Sequence, residues 1–155
     1  MPKKNDFIIV GGGLVGCLAS LILSKKNYTT CLVEKKTFKH IISDDFTPLS
    51  LTINTIQFLK KHNLWDSSYI KASEIKELTV KLFNSFNVVR FCSDDLHREH
   101  LGSVVDKSGF LSYLIDQCKK SKNINIVDEA DAYIDNVTSP IKLSQTQSKS
   151  TITGD

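Results

Sequence analysis

The chain has 155 residues, 41% of them hydrophobic, enough for one buried core and too few for two full domains. Its 20 basic and 17 acidic residues leave a net charge of +3 with the lysines scattered, so no electrostatic footprint for nucleic acid stands out. The apolar runs Phe7 to Val10 and Leu14 to Leu23 are too short and too interrupted by glycine to span a bilayer.

Phe7 to Val10 is a continuous apolar run, the form of a strand buried on both faces of a parallel sheet. Leu14 to Lys25 carries Leu14, Leu18, Leu21 and Ile22 at helical spacing, with Lys25 and Lys26 placed to complement a helix C-terminus. Thr30 to Val33 is a second short strand, so the opening is β-α-β in about thirty residues, suited to a parallel pair. Further on, Thr47 can cap a helix whose first turn holds Pro48 and whose one face carries Leu49, Ile53, Ile56, Leu59 and Leu64. The β-branched residues Thr52, Ile53, Thr55 and Ile56 weaken that helix.

The period changes at Ile75. The segments LTVKLF and FNVVRF alternate about Asn84-Ser85 and read as a β-hairpin, an antiparallel insertion. After a polar stretch the chain recovers at Gly102 to Asp106, and Phe110, Leu111, Leu114, Ile115 and Cys118 return to helical spacing. Ser108 or Asp106 would cap this helix, and Lys119, Lys120 and Lys122 would end it. Ile124 to Val127 and Ala132 to Val137 read as further strands. The tail from Thr138 to Asp155 is rich in Ser, Thr, Gln and Lys, with room for one or two exposed strands but no core of its own.

The chemistry concentrates at the start. Gly11, Gly13 and Gly16 form G-x-G-x-x-G between the first strand and the helix. The first allows a tight turn, the second close approach to a pyrophosphate, and the third close packing of helix on strand. Free N–H groups and the helix dipole at this terminus favour an anion. Glu34, ending the second strand, is placed to accept hydrogen bonds from adenosine ribose hydroxyls and to repel a 2′-phosphate, which favours FAD or NAD over NADP. The expected cofactor-binding residues are therefore Gly11, Gly13, Leu14, Val15, Gly16, Glu34 and Lys35. No Gly-Lys-Ser/Thr follows the glycines, which excludes a P-loop here.

Other constellations read as structural. Cys17, Cys31, Cys92 and Cys118 have no CxxC spacing and no signal peptide ahead of them, so they are expected as reduced core thiols in a cytoplasmic protein. His97 and His100 lack a second pair of ligands and lie in a charged, solvated loop. Asp44-Asp45 and Asp94-Asp95 read as turn or cap residues, Trp65 as packing for a helix end. No catalytic acid, base or nucleophile is assigned.

The stretches DFIIVGGGLVGCLASLILSKK with CLVEKK, PLSLTINTIQFLKKHNLW and LGSVVDKSGFLSYLI together resemble the flavin-dependent aromatic hydroxylases of ubiquinone biosynthesis, the 2-octaprenyl-6-methoxyphenol hydroxylase family. The resemblance reaches about Val137. It implies an α/β, Rossmann-like FAD-binding fold with a parallel β-α-β core and an inserted antiparallel hairpin, incomplete at its C-terminus. It also implies residues 1–137 as the N-terminal part of the FAD-binding hydroxylase domain, with 138–155 as a polar tail. FAD would be the cofactor, NAD(P)H the reductant and a prenylated phenol the substrate. The hairpin from Ile75 to Phe91 would belong to a substrate-side sheet. The family's Arg near the flavin is replaced by Phe46, its Ala in the helix by Ser20 and its Gly before the second strand by Asn27. Its Ala-Asp-Gly and Gly-Asp motifs do not appear before Asp155, so the chain alone is expected to be inactive and a separate C-terminal fragment is a candidate partner. Membrane-soluble quinone precursors leave peripheral membrane contact open, without a visible amphipathic anchor. Two alternatives stand beside this reading: a small NAD-binding Rossmann oxidoreductase, and a non-catalytic dinucleotide-binding remnant.

Overall fold

The structure, a computed structural model, describes residues 5–42, 46–84, 86–133 and 142–145. The chain divides into two units, one built from Met1–Asp44 and Ser108–Asp155, the other from the intervening Asp45–Lys107.

In the first unit, β1 (Phe7–Val10), β2 (Thr30–Val33) and β8 (Ile124–Val127) form a parallel sheet in the order β1-β2-β8. Helix α1 (Leu14–Lys25) connects β1 to β2, and α4 (Lys107–Lys120) leads into β8. The α/β class and the β-α-β opening are as the residue pattern requires. The burial is distributed differently from expectation: β2 is buried at every residue, whereas Phe7 is 42% and Val10 65% exposed. Among the described residues β1 pairs with β2 alone, so one of its edges has no neighbouring strand and its apolar side chains are only partly covered. Phe7 is partly shielded by Tyr28, whose ring meets it edge-on at 5.2 Å.

Cys31 and Val33 of β2 cluster with Val127 and Ala130, and Ile8 and Ala132 pack against them. Cys17 and Leu21 of α1 and Phe110, Leu111, Leu114, Ile115 and Cys118 of α4 are buried, which accounts for the helical spacing seen in both segments. Asn27, at the position where the resembled family has glycine, takes φ +65°, a left-handed conformation that asparagine tolerates better than other side chains. Strand β9 (Ala130–Tyr133) begins two residues before the expected one and pairs antiparallel with β10 (Lys142–Gln145) in the polar tail. The remainder of the expected Ala132 to Val137 strand lies outside the described residues. A four-residue helix α2 (Phe38–Ile41) follows β2.

The second unit corrects the helix expected from Pro48. Residues Pro48–Thr52 are a strand, β3, paired antiparallel with β7 (Gly102–Asp106), which also pairs with β4 (Ala72–Ile75). The run Pro-Leu-Ser-Leu-Thr alternates, with Leu49 and Leu51 less exposed than their neighbours. Proline is tolerated because it stands at the first strand position. The helix α3 is therefore Ile53–Lys61, and Thr52 rather than Thr47 caps it, its side-chain oxygen accepting from the Thr55 N–H at 3.3 Å. Ile56, Leu59 and the following Leu64 are buried as expected. Ser108 is likewise not a cap, since α4 already begins at Lys107.

The hairpin forms as read, from β5 (Glu77–Lys81) and β6 (Val88–Cys92), with Asn84 at φ +58° in the turn. Leu78 faces Phe91 and Val80 faces Val89 across the ladder, which places four apolar residues on one face. All four are about half exposed. A 3-10 turn at Asp94–Leu96 follows, and it uses the Asp94-Asp95 pair at a turn start.

Candidate functional site

The glycine loop is shaped by three separate constraints. Gly11 takes φ +104°, a conformation that side chains rarely adopt. A Cβ at Gly16 would collide with the Gly11 carbonyl oxygen, so the third glycine lets α1 approach the loop backbone. A Cβ at Gly12 would meet the Phe38 ring at 2.6 Å. Gly11 and Gly13, by contrast, have nothing within 4 Å of a Cβ position and leave open space above the loop.

Gly13 is the N-cap of α1, and the first helical turn bond runs from the Cys17 N–H to the Gly13 carbonyl at 2.9 Å. The N–H groups of Leu14, Val15 and Gly16 therefore begin the helix without intrahelical acceptors. No acidic residue stands in this first turn to compete for them. Val15 is 81% exposed, which keeps that turn accessible.

Glu34 reaches the loop directly. Its Oε2 accepts from the Gly12 N–H at 2.6 Å and its Oε1 from the Lys36 N–H at 3.0 Å. The register of β1 against β2 brings this about: Val10 pairs with Val33, and the Gly11 N–H donates to the Val33 carbonyl at 2.8 Å. The next residue of each strand then stands at the same sheet end. Gly11, Gly13, Leu14, Val15, Gly16 and Glu34 thus gather at the C-terminal ends of two adjacent parallel strands, where open α/β sheets bind ligands. Lys35 points its charge elsewhere, its Nζ 2.8 Å from Asp131 Oδ2 of β9. That hydrogen bond and the aspartate's charge push the lysine pKa up.

Three contributors escaped the sequence reading. Gly12 supplies the N–H that anchors Glu34, Phe38 packs where a Gly12 side chain would stand, and the Cys17 thiol donates to the Gly12 carbonyl at 3.3 Å. The run of three consecutive glycines was the available signal for Gly12. Ser20 is fully buried and donates its hydroxyl to the Gly16 carbonyl at 2.9 Å, so it stands in for alanine at no cost in unpaired polarity.

In the second unit a separate cleft of about 280 Å³ is lined by Ile53, Asn54, Gln57, Arg98, Glu99 and His100. His100 is more enclosed than the expected solvated loop residue, its side chain 19% exposed and its Nδ1 3.9 Å from Glu74 Oε1. His97 caps the 3-10 turn at φ +51°. Phe46, at the position of the resembled family's arginine, is 69% exposed. No described helix is long and apolar enough to cross a membrane.

No family model matches the chain. Among curated proteins it is 27% identical, over 85% of its length, to the methylenetetrahydrofolate–tRNA-(uracil-5-)-methyltransferase TrmFO 1 of Mesoplasma florum. It is 24% identical, over 80% of its length, to the mitochondrial ubiquinone biosynthesis monooxygenase COQ6 of Dictyostelium discoideum. The chain spans 28% of the length of each of these relatives. Among solved structures, p-nitrophenol 4-monooxygenase PnpA from Pseudomonas putida DLL-E4 superposes with a TM-score of 0.77 at 17% identity, covering 99% of this chain and 40% of that one. PqsL, a probable FAD-dependent monooxygenase from Pseudomonas aeruginosa, gives 0.70 at 12% identity, covering 98% of this chain and 41% of the other. The chain has the α/β fold, a parallel β-α-β sheet with antiparallel sheets, of about 40% of the length of these monooxygenase structures.

Proposed function

We propose that the chain binds FAD as the N-terminal portion of a flavin-dependent monooxygenase that hydroxylates a prenylated phenol, and that it is inactive by itself. The observation that carries the cofactor assignment is the loop itself. An open glycine turn, helix N–H groups without intrahelical acceptors and the Glu34 carboxylate converge at the ends of two parallel strands.

Those residues fit the adenosine diphosphate half of FAD. Gly11 and Gly13 admit the pyrophosphate, and the N–H groups of Leu14 and Val15 neutralise its charge. Glu34 accepts from the ribose hydroxyls and excludes a 2′-phosphate. FAD, when bound, supplies the redox chemistry, with NAD(P)H as reductant. This chain's residues bind and orient it. Lys35, held by Asp131, is not part of this cradle.

The substrate class rests on the three sequence stretches that resemble ubiquinone-pathway hydroxylases and on the distant relative named for ubiquinone biosynthesis. The half-exposed apolar face of the hairpin supports contact with a hydrophobic molecule or with further polypeptide. A cytoplasmic location with peripheral membrane contact agrees with a substrate of this kind.

Equilibrium titration with FAD, NAD and NADP tests the assignment. FAD is expected to bind tightest and NADP not at all, with Glu34→Gln relaxing the exclusion of NADP. Binding of NAD in preference to FAD would overturn the flavin reading in favour of a small dehydrogenase.

A further inference from the structure

The hairpin of the second unit ends in an apolar projection. Its last ladder pair is Lys81 with Val88, and beyond that pair Leu82 is 72% exposed, Phe83 92% and Phe86 fully. Exposure therefore rises along the hairpin, from about half at Leu78, Val80, Val89 and Phe91 to nearly complete at its end. Large apolar side chains gathered in water at one place mark an interaction site.

Charge is graded along the same axis. Between Leu78 and Cys92 the charged residues are Lys81 and Arg90, both basic, while the acids Glu77, Asp94 and Asp95 flank the base of the hairpin. Arg90 Nε lies 3.1 Å from Glu77 Oε1. Lys81, next to the turn, makes no ion pair with a described residue.

We propose that the end of this hairpin docks on an anionic lipid bilayer, with Leu82, Phe83 and Phe86 entering the interface and Lys81 and Arg90 meeting the headgroups. Two features favour lipid over a protein partner. A protein pocket must match each projecting side chain in shape, whereas a bilayer interface accepts apolar groups from a narrow turn without such a match. The positive end, with its acids set back towards the base, complements a negatively charged surface. The contact is interfacial, since no described helix is long and apolar enough to cross a membrane. The proposal names the surface for the peripheral contact stated above, but it stands on exposure and charge and does not depend on the cofactor or substrate assignments.

The experiment floats the full purified chain with vesicles of phosphatidylcholine alone and of phosphatidylcholine mixed with phosphatidylserine. Binding to the mixed vesicles is expected to be the stronger and to weaken with salt. The combined substitution Leu82→Ser, Phe83→Ser and Phe86→Ser should reduce it at least about tenfold, with an unchanged circular dichroism spectrum. Lys81→Glu should reduce the preference for phosphatidylserine. Phe86→Trp keeps the end of the hairpin apolar and reports its position. After subtraction of the Trp65 signal measured in the wild type, its emission should shift to the blue with mixed vesicles and be quenched by brominated lipid. A folded wild type that does not float, flotation unaffected by the triple substitution, or unmoved Phe86→Trp emission would each overturn the proposal. Self-association abolished by the triple substitution, without flotation, would overturn it in favour of a second copy as the occupant. Flavin absorbance is measured separately: a chain that floats but retains no FAD would overturn the cofactor reading and leave the lipid contact standing.

Discussion

Gly12 and Gly16 are both intolerant of a side chain, but for different reasons. The nearest atom facing a Gly16 Cβ is backbone, the Gly11 carbonyl oxygen, whereas the two nearest atoms facing a Gly12 Cβ belong to the far edge of the Phe38 ring, with the Glu34 Cβ next at 3.0 Å. Gly16→Ala is expected to cost roughly 2–4 kcal/mol, because α1 must move away from the loop. Gly12→Ala should be substantially rescued by Phe38→Leu, and Gly16→Ala should not, as chemical denaturation of the two double variants will show. Glu34 has an acceptor role that its isostere keeps only in part. Glu34→Ala removes a charge-assisted hydrogen bond worth roughly 1.5–3 kcal/mol, so FAD affinity should fall about 10- to 100-fold, with Glu34→Gln intermediate. Most of this loop was legible, since glycine spacing and an acid at a strand end have fixed mechanical meanings. What was not legible was the identity of the contacts: that Gly12 rather than solvent meets Glu34, and that Lys35 turns to Asp131. Asp131 is 96 residues away in sequence, and no local pattern encodes that meeting.

At the level of elements, the sheet-to-helix boundary at Thr52 carries a clear expectation. Thr52→Ala removes the acceptor of the Thr55 N–H and should destabilise the second unit by about 1 kcal/mol, whereas Thr47→Ala should lose no cap. Proline at position 48 favoured a helix start in the sequence because it suits a first helical turn and a first strand position equally. Only the pairing of β3 with β7 decides between them, and β7 lies some fifty residues on. The hairpin was legible for the opposite reason: strict alternation about an asparagine turn is a local signal. Its apolar face holds Leu78, Val80, Val89 and Phe91 without burying them, while the other face carries an Arg90 Nε to Glu77 Oε1 pair at 3.1 Å. Replacing Val80 and Val89 by threonine should therefore change stability by no more than about 0.5 kcal/mol per site. The same change should reduce binding of a hydrophobic dye, and a large loss of stability on denaturation would show instead that the face is a core.

For the whole molecule, the proposed dinucleotide site stands at the end of a three-stranded parallel sheet, with β1 at an edge that has no second neighbour among the described residues. The site residues come from the first 35 positions, while the strand that completes the sheet on the β2 side comes from Ile124 to Val127. Residues 45–107, a separate compact unit, lie in sequence between the site residues and that strand. The class was legible because β-α-β with these glycines admits few alternatives. The degree of exposure of β1 was not, because a continuous apolar strand reads the same whether one edge or both are paired. The central claim is that this glycine turn holds the pyrophosphate of FAD. Gly13→Asp isolates it, since the position has open space for a side chain and the new carboxylate would occupy the anion's place. The visible absorbance of each purified protein, incubated with FAD and gel-filtered, is the decisive measurement. Flavin absorbance retained by the wild type and lost in Gly13→Asp, with equal circular dichroism, is the predicted result. Equal flavin absorbance in both, or a folded wild type that elutes colourless, would contradict the account.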